Sequence, residues 1–493
     1  MSNSIYESIC DNLRPDDTLP EDFRISRDTS SGKLGIRLVE GALDGMYLYH
    51  DMKDDSDEET LIDVINEASQ HDFESAEYDL DSFFSTPEVR MLPLVDKLEK
   101  WVNDNAGNID AEAVFQFAAN IIIKTNNPEA LKFALVLFEM MDTDDNEAVK
   151  NVVKTLSRSE ELTLFAIMVA ETWKDGNEAI LDFAKHTKGW GRIHCVEHID
   201  AVSGKIKDWL FREGVRNNVG AAYSARTVAE KINLGKVFLN PAFNDDDYLL
   251  ARPIIEGLLD EGTLQGISSM SDRTEILSGY ITQSEHRVKT TEALSTLLDL
   301  RDYLNRNIFN ESGKLGEKLE NILNSKELKD FASRLLTENK DFRLAKRMDI
   351  DCTKEVLAAM EEDFSANASL VDILPKNSET LSKVFSIFRK KLPLDMMASG
   401  PKDNLGAGEE YRPYHQLSFL VQNLSDSAGE GEDFIIASLN SPVNGTRQMA
   451  LSVLEEWLKD DYVPSNAVKY AVWHLKEAEP SEDIKALLEK IDI

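Results

Sequence analysis

From about Thr86 the apolar residues fall at helical spacing and keep to it for most of the chain. Val114, Phe117, Ala118, Ile121 and Ile122 make one stripe, and after Asn126-Asn127-Pro128 the residues Leu131, Ala134, Leu135 and Phe138 make another. This pattern predicts a helix, a tight turn and a returning helix. Start signals of one kind stand at Asn127-Pro128-Glu129, Asn146-Glu147 and Asn177-Glu178. An asparagine side chain accepts hydrogen bonds from the free N–H groups of a first turn, and the glutamate behind it suits the positive end of the helix dipole. The spacing of these signals is irregular, which fits HEAT-like repeats as well as three unrelated caps.

The same pattern returns near the C-terminus. Met449, Leu451, Val453, Leu454 and Trp457 follow Asn444-Gly445-Thr446, and Val468, Ala471, Val472 and Leu475 follow Pro464-Ser465-Asn466. Two short antiparallel helices are expected there, with a last one over Ile484 to Ile491. Between the two stretches, Thr290 to Phe309 and Leu315 to Phe342 read as longer amphipathic helices, and Leu394 to Pro413, with its glycines and prolines, as a loop.

The residues before Thr86 break the pattern. Phe23 to Arg27, Leu34 to Val39 and Met46 to His50 are rich in β-formers and separated by turn residues, which predicts a small three-stranded meander. An acidic run follows from Asp51 through Asp54, Asp55, Asp57, Glu58 and Glu59 to Glu67, relieved only by Lys53. It reads as a solvated linker or helix entry, since the order of an EF-hand calcium loop is absent. The expected fold is therefore mostly α, with HEAT-like antiparallel helical repeats and a small N-terminal β-containing segment. The expected divisions are an acidic N-terminal region (1–85), a helical repeat array (86–275), longer amphipathic helices (276–393), a loop or linker (394–413) and C-terminal helical repeats (414–493).

Composition narrows the partners. A net charge of −36 repels phosphate backbones and anionic lipid, so nucleic acid is not an expected partner, and cationic protein surfaces are. Cys10, Cys195 and Cys352 are too few and too scattered for a disulfide framework or a Cys-x-x-Cys metal pair. With no basic, apolar leader and no run near the ~20 apolar residues of a membrane span, the expected location is cytoplasmic.

One segment concentrates chemistry. His186 to His198 reads HTKGWGRIHCVEH and holds three of the eight histidines. If the stretch after Gly191 is helical, His194 and His198 lie one turn apart on one face, a spacing that lets two imidazoles share a metal. With Glu197 they match H-x-x-E-H, in which the glutamate would act as general base on a metal-bound water, and Glu275 is a candidate third ligand. The alternative is two partly buried histidines beside the apolar stripe Ile193, Val196 and Ile199. Trp190 and Arg192 likewise read either as a stacked recognition spot or as packing between two helices. Elsewhere no G-x-G-x-x-G follows a strand, and no P-loop, Gly-x-Ser-x-Gly elbow, haem-thiolate loop or paired Glu-x-x-His is present.

The run from Ala184 to Asn233, AKHTKGWGRIHCVEHIDAVSGKIKDWLFREGVRNNVGAAYSARTVAEKIN, resembles bacterial proteins named limonene hydroxylase. The resemblance implies hydroxylation of a small apolar substrate, limonene, to perillyl alcohol and carveol, with NAD(P)H as electron source and oxygen as oxidant. Such chemistry needs a metal or a flavin to activate oxygen, and the sequence shows no motif for either. Were the metal a non-haem iron, His194 and His198 with Glu275 or Asp200 would be its ligands. The residues themselves suggest a different function, a non-catalytic HEAT-like scaffold for protein–protein interaction.

Overall fold

The computed structural model describes residues 3–25, 38–50, 52, 56–86, 89–262, 264–459 and 462–493. Helices and short 3-10 turns make up all the regular structure among these residues, and no strand occurs among them. None of the described helices is long and apolar enough to cross a membrane. The chain divides into two compact units, Met1–Ile322 and Leu323–Ile493, so the expected linker at 394–413 lies inside the second unit.

The first unit contains α1 (Ile5–Asn12), α2 (Ala42–Tyr49), α3 (Glu59–Ser69), α4 (Phe73–Phe83), α5 (Val95–Asn105), α6 (Ala111–Lys124), α7 (Pro128–Glu139), α8 (Glu147–Leu156) and α9 (Thr163–Glu171). It continues with α10 (Gly176–His186), α11 (Trp190–His198), α12 (Gly204–Glu213), α13 (Ala222–Ile232), α14 (Leu234–Phe238), α15 (Asp245–Leu259), α16 (Arg273–Ser284) and α17 (Thr291–Arg306), and α18 (Ser312–Leu323) ends at its boundary.

Two of these helices show how sequence sets the layering. α9 is apolar on every side, and almost all of its residues are buried. A helix of that kind needs neighbours all round. α8 buries one face, carrying Val149, Lys150, Val153 and Leu156, and leaves its other residues at least partly exposed. Accordingly α7, α9, α11, α13, α15 and α17 pack each against the next in an inner row, while α8, α10 and α12 lie against α9, α11 and α13.

Of the three expected asparagine caps, two are formed. Asn127 accepts from the Glu129 N–H at the start of α7, and Asn146 from the Val149 N–H at the start of α8. Asn177 lies inside α10 instead, and its side-chain oxygen accepts the Asp200 N–H beyond α11. The expected helix over Leu315 to Phe342 is divided, because Ser325 caps a new helix by accepting the Leu328 N–H.

The expected meander is not formed where it can be seen. Met46 to Tyr49 belong to α2, and Phe23 to Ile25 and Leu38 to Val39 are not strands. Ser26, Arg27 and residues 34–37, like Asp51, Lys53, Asp54 and Asp55 of the acidic run, lie outside the described residues. The reason for a helix at Met46 is tertiary. α2 starts from Gly41, whose left-handed φ of 75° favours glycine, and then sets Ala42, Asp44 and Gly45 against the inner row.

The second unit holds α19 (Lys326–Asn339), α20 (Phe342–Arg347), α21 (Thr353–Glu362), α22 (Phe364–Asn367), α23 (Ser378–Lys391), α24 (Leu394–Met397), α25 (Arg412–Gln422), α26 (Glu432–Leu439), α27 (Asn444–Lys459), α28 (Asn466–Ala478) and α29 (Glu482–Leu488). Its core is built round Phe388, Phe434 and Trp457. Fully buried within it, Arg447 donates from Nε and Nη2 to the two oxygens of Glu479, each at 2.7 Å. The same guanidinium donates to the Ser441 and Lys402 carbonyls, which fixes the 394–413 segment to the start of α27.

Candidate functional site

The His186–His198 segment is a helix junction closed at both ends by distant side chains. At the start of α11 the Glu160 carboxylate accepts the N–H groups of Lys188, Gly189 and Gly191 at 2.6–2.8 Å. These are donors a first turn leaves free, and a negative charge there also suits the dipole. At the other end Lys231 donates to the carbonyls of Val196, Glu197 and Ile199, which the last turn leaves free. Arg192 does the same for the end of α10 through the Ala184 and Thr187 carbonyls.

Close packing explains the glycines. A Cβ on Gly191 would stand 2.4 Å from Thr163 Oγ1, and one on Gly45 would stand 2.3 Å from the Trp190 ring. Trp190 is only 4% exposed, with Tyr223 edge-on at 4.9 Å, Tyr49 at 5.9 Å and His194 stacked at 6.2 Å. Of its two sequence readings, packing is the one its burial supports.

The candidate metal ligands are directed to different neighbours. His194 is buried, and its Nε2 has no hydrogen-bond partner among the described residues. Burial pushes its pKa down to about 3, with His198 and Lys132 adding repulsion, so the ring stays neutral. His198 Nδ1 lies 2.9 Å from Glu171 Oε1, and Glu197 accepts from Thr227 Oγ1 at 2.7 Å. Glu275 sits against Gly235, where α14 meets α16. Asp200 receives the Asn177 contact through its backbone N–H. No group of three or more His, Cys, Asp or Glu stands ready to hold a metal among the described residues. Burial raises the Cys195 thiol far above its usual range, which removes its nucleophilic form.

A second constellation was not anticipated from the sequence. Lys132 on α7 is fully buried, and its Nζ donates to Asp44 Oδ2 at 2.8 Å, Glu129 Oε1 at 3.0 Å and Glu161 Oε1 at 2.7 Å. Arg90 approaches Glu129 at 3.3 Å, and Glu161 also accepts the Gly41 N–H. Burial raises Asp44 to about 7 despite Lys132, because Glu161 and Glu129 compete for the same ammonium. Lys132 itself is held well above its ordinary value by the carboxylates around it. The one sequence signal for this cluster is a lysine in the middle of the apolar run ALKFALVLF.

Beside Trp190 lies a cleft of about 180 Å³, with Phe23, Val39 and Val219 among its apolar walls and Arg24, Arg158 and Lys188 among its cations. Arg158 is already engaged by Asp17 and Asp182. Comparison with protein-family models, with curated proteins and with solved structures finds no match to this chain.

The Glu160 cap gives a direct check on the junction. Glu160→Ala leaves three N–H groups without their acceptor, and is expected to lower stability by about 1–3 kcal/mol. Urea unfolding followed by circular dichroism reads this, and an unchanged midpoint would show that the cap does not hold α11.

Proposed function

We propose that this chain is a non-catalytic, HEAT-like helical scaffold that binds a protein partner on its inner helix row. The observation that carries the reading is α2. This short helix lies against α7 through Asp44 and Lys132, against α11 through Gly45 and Trp190, and against α13 through Tyr49 and Tyr223. The inner row therefore already accepts a helix. Stacked helical repeats offer extended surfaces of this kind to partners. The His186–His198 segment serves the same end as a rigid junction, with Arg192 tied to the end of α10, Glu197 to α13 and His198 to α9.

The experiment that tests this reading sets it against the hydroxylase implied by the resemblance. The purified chain is supplied with NAD(P)H, oxygen and limonene, then in turn with iron(II) and with flavin, and products are followed by gas chromatography. The scaffold reading expects no perillyl alcohol or carveol above the protein-free control. Product formation that is lost in His194→Leu would overturn it.

A further inference from the structure

α15 and α17 pack side by side in the inner row, and both end at one cavity of about 230 Å³. Glu256, Asp260, Asp299, Asp302, Tyr303 and Arg306 are among its walls. The C-terminus of a helix is the negative end of its dipole, where a cation is the favoured side chain. α15 departs from this rule, because its last turn has no basic residue and Asp260 follows directly as its C-cap. The last turns of α17 bring Asp299 and Asp302 to the same place.

Three arginines stand at or beside this wall. Arg252, together with Thr296, holds Glu256 Oε1. Arg301 Nε lies 3.6 Å from Asp302 Oδ1, and Arg306 donates from Nε to the Asp302 carbonyl. Four carboxylates thus face three guanidinium groups, and two helix ends add to the negative side. Tyr303 is only 2% exposed, and its buried hydroxyl has no hydrogen-bond partner among the described residues. Burial, with Glu261 adding repulsion, raises this phenol above its ordinary value and keeps it neutral. A buried hydroxyl without a partner is costly, and one on a residue lining an acidic cavity suits a cationic donor.

We propose that the cavity between the ends of α15 and α17 binds an arginine side chain of a protein partner, with Asp260 and Asp302 as acceptors for its guanidinium and the Tyr303 hydroxyl as a further one. A planar fork of five N–H donors suits acceptors spread round a wall better than a compact ammonium does. A metal ion fits the carboxylates less well, since no three of them stand ready to hold one among the described residues. The proposal rests on the scaffold reading and narrows it to one end of the inner row and one side chain of the partner.

The test is saturation-transfer NMR on the full chain at fixed ionic strength, with a blocked five-residue peptide of glycine and serine that carries one central arginine. A second peptide has citrulline there, which keeps the shape and removes the charge. The arginine peptide is expected to bind the wild type, and the citrulline peptide roughly tenfold or more weakly. A chain with both Asp260→Asn and Asp302→Asn should lose roughly tenfold or more in affinity for the arginine peptide. Tyr303→Phe should lose roughly threefold or more with no change of charge, which separates a built site from general attraction to an acidic surface. That variant should also melt no earlier than the wild type, because the hydroxyl it removes has no partner among the described residues. No binding to the wild type, equal binding of the two peptides, or an affinity unchanged in Tyr303→Phe or in the double asparagine variant would each overturn the proposal. Its failure leaves the scaffold reading standing, whereas limonene turnover would remove that reading whatever the peptide does.

Discussion

Lys132→Met is expected to lower the stability of the first unit by about 3–5 kcal/mol, the usual cost of leaving buried charges without their partner. The substitution keeps an unbranched apolar side chain and removes the ammonium, which Asp44, Glu129 and Glu161 share and which lies 5.4 Å from the centre of the Phe165 ring. Arg90 then remains for Glu129 alone. The loss should depend on pH in a definite direction. Asp44 is already raised to about 7 in the folded chain, so its contribution is full below the ordinary carboxylate pKa and is lost as pH rises through 7. Without Lys132, Asp44 and Glu161 both lose the cation that lowers them, and the deficit should be smallest near pH 5 and largest near pH 8. Urea unfolding at both pH values measures it. A deficit below about 1 kcal/mol, within the range of an exposed ion pair, would mean that the cluster is not sealed from water.

Arg447→Met should act in the same way on the second unit, with a comparable cost of about 3–5 kcal/mol. Glu479 would be left buried with only the Ser481 N–H as donor to its carboxylate, and the Ser441 and Lys402 carbonyls would each lose their Arg447 contact. Hydrogen exchange resolves the effect by position. The amides of α26 to α28 should exchange faster in the variant while those of α7, α9 and α11 keep their wild-type protection, because the two units have separate cores. The double variant Arg447→Met with Glu479→Leu should recover most of the loss, since replacing both members of a buried pair with apolar groups removes the stranded charge. A single variant as stable as the wild type would contradict the pair's burial.

What could be read in the sequence was local. Asn127 and Asn146 announce helix starts because an N-cap acts on its own first turn, and Val114 to Ile122 announces a buried face because helical periodicity is a property of neighbours. Asn177 carries the same signature and fails, because Asp200 across α11 takes its side chain before its own helix can. The β-rich run at Met46 became helix for a reason of the same order. Asp44 and Gly45 fit Lys132 and Trp190 only in that form, and both partners lie far away in sequence.

The candidate site shows the same division. That His194 and His198 share a helix was legible from spacing. What they and Glu197 meet was not, because Tyr49, Glu171 and Thr227 come to His194, His198 and Glu197 from three other helices. The Glu160 and Lys231 caps of α11 were hidden for the same reason. Both are side chains about 30 residues from the turns they close. The Lys132 cluster left a trace in one misplaced lysine, yet its meaning depends on carboxylates supplied by α2 and by the turn before α9.

The scaffold reading stands or falls with α11 as a packed junction. The most direct measurement is the melting midpoint of the wild type, His194→Leu and His198→Ala, each with and without added zinc or iron(II). Leucine at 194 removes a buried ring nitrogen that has no partner among the described residues, so a midpoint equal to or above the wild type is expected. Metal should shift all three proteins alike. A metal that raises the wild-type midpoint and loses that effect when either histidine is replaced would be binding the folded state at this site, and would contradict the account.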